Sequence, residues 1–240
     1  KNYDLAEKIK AEHGAKVAMM SIGPAGEMKM GAASIAVTDR EFRPARHAGR
    51  GGVGAVMGAK GIKVIVIDDD GMKMRKPKNP DKFKAANKAF NEGLRRHAVT
   101  GEGLPAYGTN VLTNVINEAG AYPTQNFKSG RFDGASKISG ETQAETEIER
   151  GGKGSATHGC HRGCIIRCSG TYYDKDGQYL TKQPEYETVW SHGGNCGIDD
   201  LDAIALMDRM DDDYGLDTIE MGATIAVAMD AGVVQFGDAD

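Results

Sequence analysis

Arg50-Gly-Gly-Val-Gly54-Ala-Val-Met-Gly58-Ala-Lys60-Gly-Ile-Lys63-Val-Ile65 is the stretch whose reading decides how this chain folds. With Gly49 in front, it formally matches the G-x-G-x-x-G of dinucleotide-binding turns. That motif needs a strand directly before it and a full helix after it. Here Arg40-Glu-Phe-Arg-Pro-Ala-Arg-His47 precedes it and reads as no strand, and about eight residues follow Gly54 before Lys63 opens the next strand. A doubly wound dinucleotide fold is therefore not expected. Arg43, Arg46, His47 and Arg50 crowd against the glycines. Bare backbone N–H groups beside guanidinium groups suit phosphate or a polar heterocycle. An anionic cofactor is favoured over a glycine turn that merely packs.

Around this stretch the apolar pattern is that of short strands, at residues 17–22, 33–38 and 63–67, after an amphipathic helix at 3–13 with Leu5, Ala6 and Ile9 on one side. Residues 72–80 are basic, carry Pro77 and Pro80, and mark a boundary, beyond which the periodicity is helical. Phe83, Ala86, Phe90 and Leu94 define the inward face of a helix from Pro80 to about His97, with Pro in its first turn. Thr109 is placed to cap a helix carrying Val111, Leu112, Val115, Ile116 and Ala119. Residues 121–140 read as loop and 141–149 as an exposed helix. A hairpin is expected to turn at Asp176-Gly177. A helix from Asp199 or Asp200 buries Leu201, Ile204, Met207 and Met210 and stops at Gly215, and Asp217-Thr-Ile-Glu220 opens a last helix. The fold class is α+β, with a β-rich unit over 1–75 and a mainly helical one over 76–240.

The densest chemistry lies in His158-Gly-Cys160-His161-Arg-Gly-Cys164-Ile-Ile-Arg-Cys168, which holds three of the four cysteines. Clustered thiolates bind zinc or iron. A structural zinc would need a fourth ligand, for which His158, His161 and Cys196 are candidates. A [4Fe–4S] cluster needs four ligands, or three and an open iron. The plain alternative is three free thiols. The C-x3-C-x3-C spacing is close to the C-x3-C-x2-C of radical enzymes that cleave S-adenosylmethionine, but the second gap is longer and the motif lies late in the chain, behind helices.

Glu185 and Glu187 would share one face of a strand, lining a pocket or facing solvent. Trp190 and His192 follow closely, so a general acid or base could sit there. Asp212-Asp-Tyr-Gly215-Leu216-Asp217 joins two helices, where Asp217 is a natural cap and exposed N–H groups could hold a cofactor's polar edge.

A net charge of −4 does not mark a nucleic-acid binder, no apolar run reaches the 18–20 residues that span a bilayer, and no signal peptide is evident. Four cysteines, three of them clustered, suggest metal or redox chemistry in a reducing cytoplasm rather than a disulfide framework. The chain starts at Lys1 inside a helical pattern and is expected to be a fragment cut at both ends, inactive by itself.

The stretch from Arg50 to Ile65 resembles a signature of the tungsten-containing aldehyde:ferredoxin oxidoreductase family. So do Ile22-Gly-Pro-Ala-Gly-Glu27, Tyr107-Gly-Thr-Asn110, Tyr122-Pro-Thr-Gln-Asn-Phe127, Gly140-Glu141, Asn195-Cys-Gly-Ile-Asp-Asp200 and the D-x-x-G-L-D of Asp212 to Asp217, in that order. The resemblance implies part of a β-sandwich domain that seats a tungsten or molybdenum bis-pterin cofactor, then a helical iron–sulfur and pterin-binding domain. It implies that Arg50, Gly51, Gly52 and Gly54 contact the pterin with Arg46 and His47 as neighbours, and that Asp212, Gly215, Leu216 and Asp217 hold it from the other side. It implies Glu187 as the acid that assists proton transfer, and Cys160, Cys164 and Cys168 as ligands of a [4Fe–4S] cluster. Two departures follow: the family shows C-x2-C-x3-C, and its fourth cluster ligand would lie beyond residue 240. The implied reaction is aldehyde oxidation to a carboxylic acid, with electrons passed to ferredoxin or another electron-transfer protein, in a homodimer or larger redox complex. Two alternatives stand beside it: a tungsten subunit reducing aromatic acyl-CoA, and a zinc-stabilised binding module.

Overall fold

The structure, a computed structural model, describes residues 1–152 and 158–239. Helix α1 (Asn2–His13) buries Ala6 and Ile9 against strand β1 (Ala18–Ser21), whose Met19 is fully enclosed. The short helix α2 (Pro24–Glu27), with Pro at its start, leads to β2 (Ile35–Val37). Strand β3 (Arg46–Ala48), helix α3 (Val53–Ala59) and strand β4 (Val64–Ile67) follow. The sheet runs β3-β2-β1-β4 and every pair is antiparallel, with Ala36 opposite His47 and Met20 opposite both Val37 and Ile65.

Strand β3 corrects the expectation of no strand before the glycine stretch. Its residues are polar because one side of this edge strand faces a cavity rather than the core, so composition alone does not reveal it. The helix after the glycines has seven residues, short as expected. A Cβ at Gly54 would fall 2.3 Å from the Ser34 carbonyl oxygen, and one at Gly58 would fall 2.0 Å from that of Gly26. Only glycine allows α3 to lie this close to β2 and α2.

The rest of the chain is mainly helical. Helix α4 (Pro80–Arg96) is capped by Asn79, whose side chain accepts from the Lys82 N–H. None of its residues is buried, and Phe83 and Phe90 stay 59 % and 66 % exposed, so the expected inward face is apolar but uncovered within the described residues. A π-turn (Val99–Gly103), helix α5 (Leu104–Tyr107), a 3-10 turn (Thr109–Val111) and helix α6 (Leu112–Glu118) follow. Leu112 and Val115 of that expected face are also exposed. Thr109 does not cap its own helix; its hydroxyl is drawn away by Glu185 and Tyr186.

Helix α7 (Gly140–Glu149), capped by Ser139, is not fully exposed as expected: Gln143, Ala144 and Glu147 are buried. The Glu147 carboxylate has no hydrogen-bond partner among the described residues, and burial pushes its carboxyl up to about 8. Strands β5 (Thr171–Tyr173) and β6 (Tyr179–Lys182) form the expected hairpin, with Gly177 at φ 73°. Residues 186–193 are helical rather than extended, as helix α8 (Tyr186–Thr188) follows an extended Glu185 and runs into a second π-turn (Val189–Gly193). Helix α9 (Leu201–Tyr214) starts at the Asp200 cap and ends at Gly215, φ 74°, and helix α10 (Thr218–Asp230) starts at the Asp217 cap. Met210 of the expected inward face is 48 % exposed, because the buried stripe of α9 turns toward Asp208, Asp211 and Asp212.

The helical core gathers Ile138, Tyr172, Val189, Ile198, Ile204 and Ala226. Enclosing a side chain the size of Ile204 contributes about 1.5–3 kcal/mol. The corner between α9 and α10 docks on the N-terminal sheet. The Ser34 N–H donates to the Gly215 carbonyl at 2.8 Å, the Asp217 N–H donates to the Ala32 carbonyl at 2.9 Å, and Ala33 bridges Leu216. This seam sets the position of everything described next.

Candidate functional site

A cavity of about 650 Å3 opens where β3 meets the α9–α10 corner. Arg46, His47 and Arg50 line it from the N-terminal side, and Asp212, Leu216 and Asp217 from the helical side. Lys182, Glu185, Glu187 and Cys160 complete the charged and sulfur-bearing lining. Residues more than 160 positions apart thus converge, and eight of the cofactor, proton-transfer and cluster residues that the resemblance implies line one cavity. Gly51, Gly52, Gly54 and Gly215 shape the walls without lining them. Gly51 and Gly52 adopt φ 82° and 67°, the left-handed conformation that glycine takes without strain. A Cβ at Gly52 would lie 2.8 Å from the Gly31 carbonyl oxygen, and one at Gly215 would lie 2.7 Å from the Gly23 nitrogen. Gly51 is open to space on its Cβ side.

Beneath the cavity lies a buried chain of charges. The Lys182 ammonium donates to Asp208 Oδ1 at 2.8 Å and Oδ2 at 2.9 Å, and to Asp212 Oδ2 at 2.7 Å. Asp212 Oδ1 stands 3.1 Å from His47 Nε2, which also faces the Pro44 carbonyl oxygen at 3.1 Å. Two acceptors at Nε2 put a ring hydrogen there, and Nδ1 lies 2.6 Å from the Ser34 hydroxyl. Burial works against the Lys182 ammonium, but Asp208 and Asp212 outweigh it and raise its pKa. Burial also works against the Asp212 carboxylate; the Lys182 and His47 charges outweigh it and hold the group at about 2. Asp208, enclosed most completely, is pushed up by burial.

At the mouth, Arg46 Nη1 donates to Glu185 Oε1 at 3.3 Å and Nη2 donates to Ser169 Oγ, while Arg46 Nε is buried with no partner among the described residues. Arg50 is exposed and enters no ion pair among the described residues. The Glu187 carboxylate lines the cavity, and no hydrogen bond among the described residues engages it. Asp217 both caps α10, accepting from the Ile219 N–H at 3.1 Å, and faces the cavity. His192 is not part of the lining: its ring is buried, with Nε2 2.8 Å from Asp211 Oδ2.

Cys160 faces this cavity, and Cys164 lines a second cleft of about 800 Å3 with Arg40, Arg95, Arg162 and Arg167. Cys160, Cys164 and Cys168 are half-buried and free. Burial, then Glu185, then Cys160 and Cys164, raise the Cys168 thiol. The three thiols thus share one electrostatic neighbourhood, although no group of three or more His, Cys, Asp and Glu among the described residues is drawn together as a metal site. Of the candidate fourth ligands, His158 pairs with Glu41 at 3.0 Å, His161 Nδ1 lies 2.9 Å from the Arg162 carbonyl oxygen, and Cys196 is buried with its thiol pushed up to about 12.

Sequence reasoning missed Lys182 and Asp208; it named Glu185 only beside Glu187, and it gave Thr109 the role of a helix cap rather than of a partner for Glu185. For Asp208 a signal exists: Leu201, Ile204, Ala205, Asp208, Asp211 and Asp212 fall at helical spacing on one buried stripe, and acids on a buried stripe require a cation. For Lys182, in Leu-Thr-Lys-Gln, there is none.

The family profile for the aldehyde ferredoxin oxidoreductase N-terminal domain matches residues 1–69, and the profile for domains 2 and 3 matches residues 85–234. The chain is 42 % identical over 227 residues to a tungsten-containing aldehyde ferredoxin oxidoreductase of Pyrococcus horikoshii, covering 94 % of this chain and 34 % of that protein. It is 40 % identical over 223 residues to the enzyme of the same description from Thermococcus kodakarensis, covering 92 % and 34 %. The chain therefore spans about a third of the length of these relatives. It also shares its fold, at TM-score 0.67 and 18 % identity, with a chain of the active-site complex of benzoyl coenzyme A reductase, covering 98 % of this chain and 35 % of that one. With a family profile matched over well more than half its length and a cavity that unites the residues carrying the resemblance, the chain belongs to the aldehyde ferredoxin oxidoreductase family.

Proposed function

We propose that this chain is the part of a tungsten- or molybdenum-dependent oxidoreductase that seats a pterin-bound metal and flanks a [4Fe–4S] cluster, with residues 1–75 belonging to the pterin-binding unit and 76–240 to the helical one. The whole enzyme oxidises a small aldehyde and water to a carboxylic acid, releasing two electrons and two protons, with ferredoxin or another electron-transfer protein as acceptor. The observation that carries the reading is the single cavity joining Arg46, His47 and Arg50 to Asp212, Leu216 and Asp217, with Glu187 and Cys160 in its lining.

The residues present fit the cofactor. The buried, unpartnered Arg46 Nε and the exposed Arg50 offer donors to an anionic or polar heterocycle, and Asp217 offers an acceptor from the opposite wall. Cys160, Cys164 and Cys168 offer three thiolates to a cluster. When bound, the pterin-held metal supplies two-electron chemistry and the cluster passes those electrons on singly. The protein contributes position and electrostatics. Glu187, whose side chain has no hydrogen bond among the described residues and which lines the cavity, accepts a proton from water next to the substrate. Lys182 keeps Asp212 ionised, so that this wall of the cavity carries a fixed acceptor for ring N–H groups.

The test is metal and activity analysis of the full-length protein. Tungsten or molybdenum with iron, and reduction of a viologen dye that depends on an aldehyde, are expected. Zinc alone, with no pterin fluorescence after oxidation, would overturn the reading.

A further inference from the structure

Glu187 sits in α8, the first turn of a helical stretch that continues through Gly193. The first turn of a helix has N–H groups without intrahelical acceptors, and the Glu185 side chain does not cap them, so the start of the stretch is held by partners outside it. Glu185, the residue immediately before α8, supplies the link. Its Oε1 accepts from Arg46 Nη1 of β3 at 3.3 Å, and its Oε2 accepts from the Thr109 hydroxyl at 2.6 Å. The same Thr109 oxygen accepts from the Tyr186 N–H at 3.0 Å, closing a loop around the start of the helix. The Glu185 carbonyl accepts from the Val189 N–H at 3.0 Å, which continues the turn that presents Glu187. Arg46 is itself tied to Ser169, next to Cys168. The clamp thus joins the N-terminal sheet, the 3-10 turn at Thr109 and the cysteine segment to one short helix. Glu185 and Thr109 are only partly exposed, so water competes weakly for these bonds.

We propose that Glu185 is a positioning residue: held between Arg46 and Thr109, it fixes the short helix Tyr186–Thr188 so that the Glu187 carboxylate points into the cavity. The inference rests on the proton-accepting role assigned to Glu187 above. Glu185 takes no proton in the reaction, because its two oxygens are engaged by a guanidinium and a hydroxyl. Thr109 belongs to the same device, since its one oxygen both donates to Glu185 and accepts from the helix start.

The experiment is a double-mutant cycle in the full-length, metal-loaded enzyme, combining Thr109→Val, Thr109→Ser, Glu185→Gln and Glu187→Ala. Thr109→Val and Glu185→Gln are each expected to lower kcat roughly 10²-fold, the loss that a misplacement of about 1 Å causes, with KM changed less than about twofold. Thr109→Ser, which keeps the hydroxyl, restores the rate. In the Glu187→Ala background neither substitution lowers kcat further, because the residue they position is gone. Losses that multiply in that background would overturn the proposal. Hydrogen exchange across residues 183–190 gives a readout independent of turnover: Thr109→Val removes the acceptor of the Tyr186 N–H and is expected to speed exchange there, and unchanged exchange overturns the clamp. A Glu187→Ala enzyme with full activity would sink the role of Glu187 instead, leaving the exchange measurement to judge the clamp by itself.

Discussion

Replacing Lys182 with Met removes the only cation in contact with both Asp208 and Asp212 among the described residues, in a place where water cannot substitute. The Lys182 side chain is 11 % exposed, and those of Asp208 and Asp212 are 0 % and 3 % exposed. Taking one partner from a buried ion pair costs about 3–5 kcal/mol, because a charge is left enclosed and unpaired. The titration of Asp212 points the same way: the Lys182 and His47 charges outweigh burial and hold its carboxyl at about 2, below the usual carboxylate range. A depressed folded-state pKa contributes stability that is complete above pH 3.8 and is lost as pH falls through 2. Asp208, raised by burial, contributes with the opposite sign, so the pair together yields less than Asp212 by itself. Without Lys182, burial acts on both carboxyls with only His47 to oppose it at Asp212, and both pKa values rise. The variant should then match the wild type most closely in acid and fall behind as pH climbs above about 4, reaching a deficit of about 3–5 kcal/mol near neutrality. Hydrogen exchange of peptides from Leu201–Tyr214, corrected for intrinsic rates and followed from pH 4.5 to 8, measures the gap. A deficit that is absent, or that narrows as pH rises, would refute the argument.

Four further outcomes are expected. Glu147, pushed up to about 8 by burial, holds its proton in the folded state, so stability declines as pH rises from the usual glutamate range through 8 by up to about 5 kcal/mol; Glu147→Met should flatten that slope in denaturant titrations at several pH values. Gly54→Ala would drive a methyl to 2.3 Å from the Ser34 oxygen and should cost well over 1 kcal/mol, whereas Gly51→Ala, at φ 82° with open space, should cost about 1 kcal/mol, as thermal unfolding of the two variants can compare. Glu187→Gln should lower kcat roughly 10²–10⁴-fold at constant metal content, and an unchanged rate would remove it from proton transfer. Ser in place of Cys160, Cys164 or Cys168 should each reduce iron content while leaving tungsten or molybdenum in place; loss of both metals together would mean that the segment serves the fold rather than a cluster.

Much of the local structure was legible because its causes are local. Asp200 and Asp217 each stand at the N-terminal side of an apolar-periodic segment with an oxygen that reaches the first free N–H groups, and both cap helices. The cavity's two walls were legible as motifs, the glycine stretch and the segment from Asp212 to Asp217. Strand β3 was not, because pairing with β2, rather than its own residues, makes it a strand. The burial of Glu147 and the exposure of Phe83 and Phe90 were not, because periodicity shows that a helix has an apolar face and not what covers it.

What could be read before folding was most of the helices, the Asp200 and Asp217 caps, the hairpin and the family, since each depends on neighbours within a few residues or on motifs in order. Only the tertiary structure decided the Lys182 pairing with Asp208 and Asp212, the clamp from Arg46 through Glu185 to Thr109, and the meeting of Arg50 with Asp217 around one cavity. Those contacts join residues 26 to 167 positions apart. The strength of a buried charge pair comes from the water excluded around it, and that exclusion exists only once the α9–α10 corner has closed on the sheet.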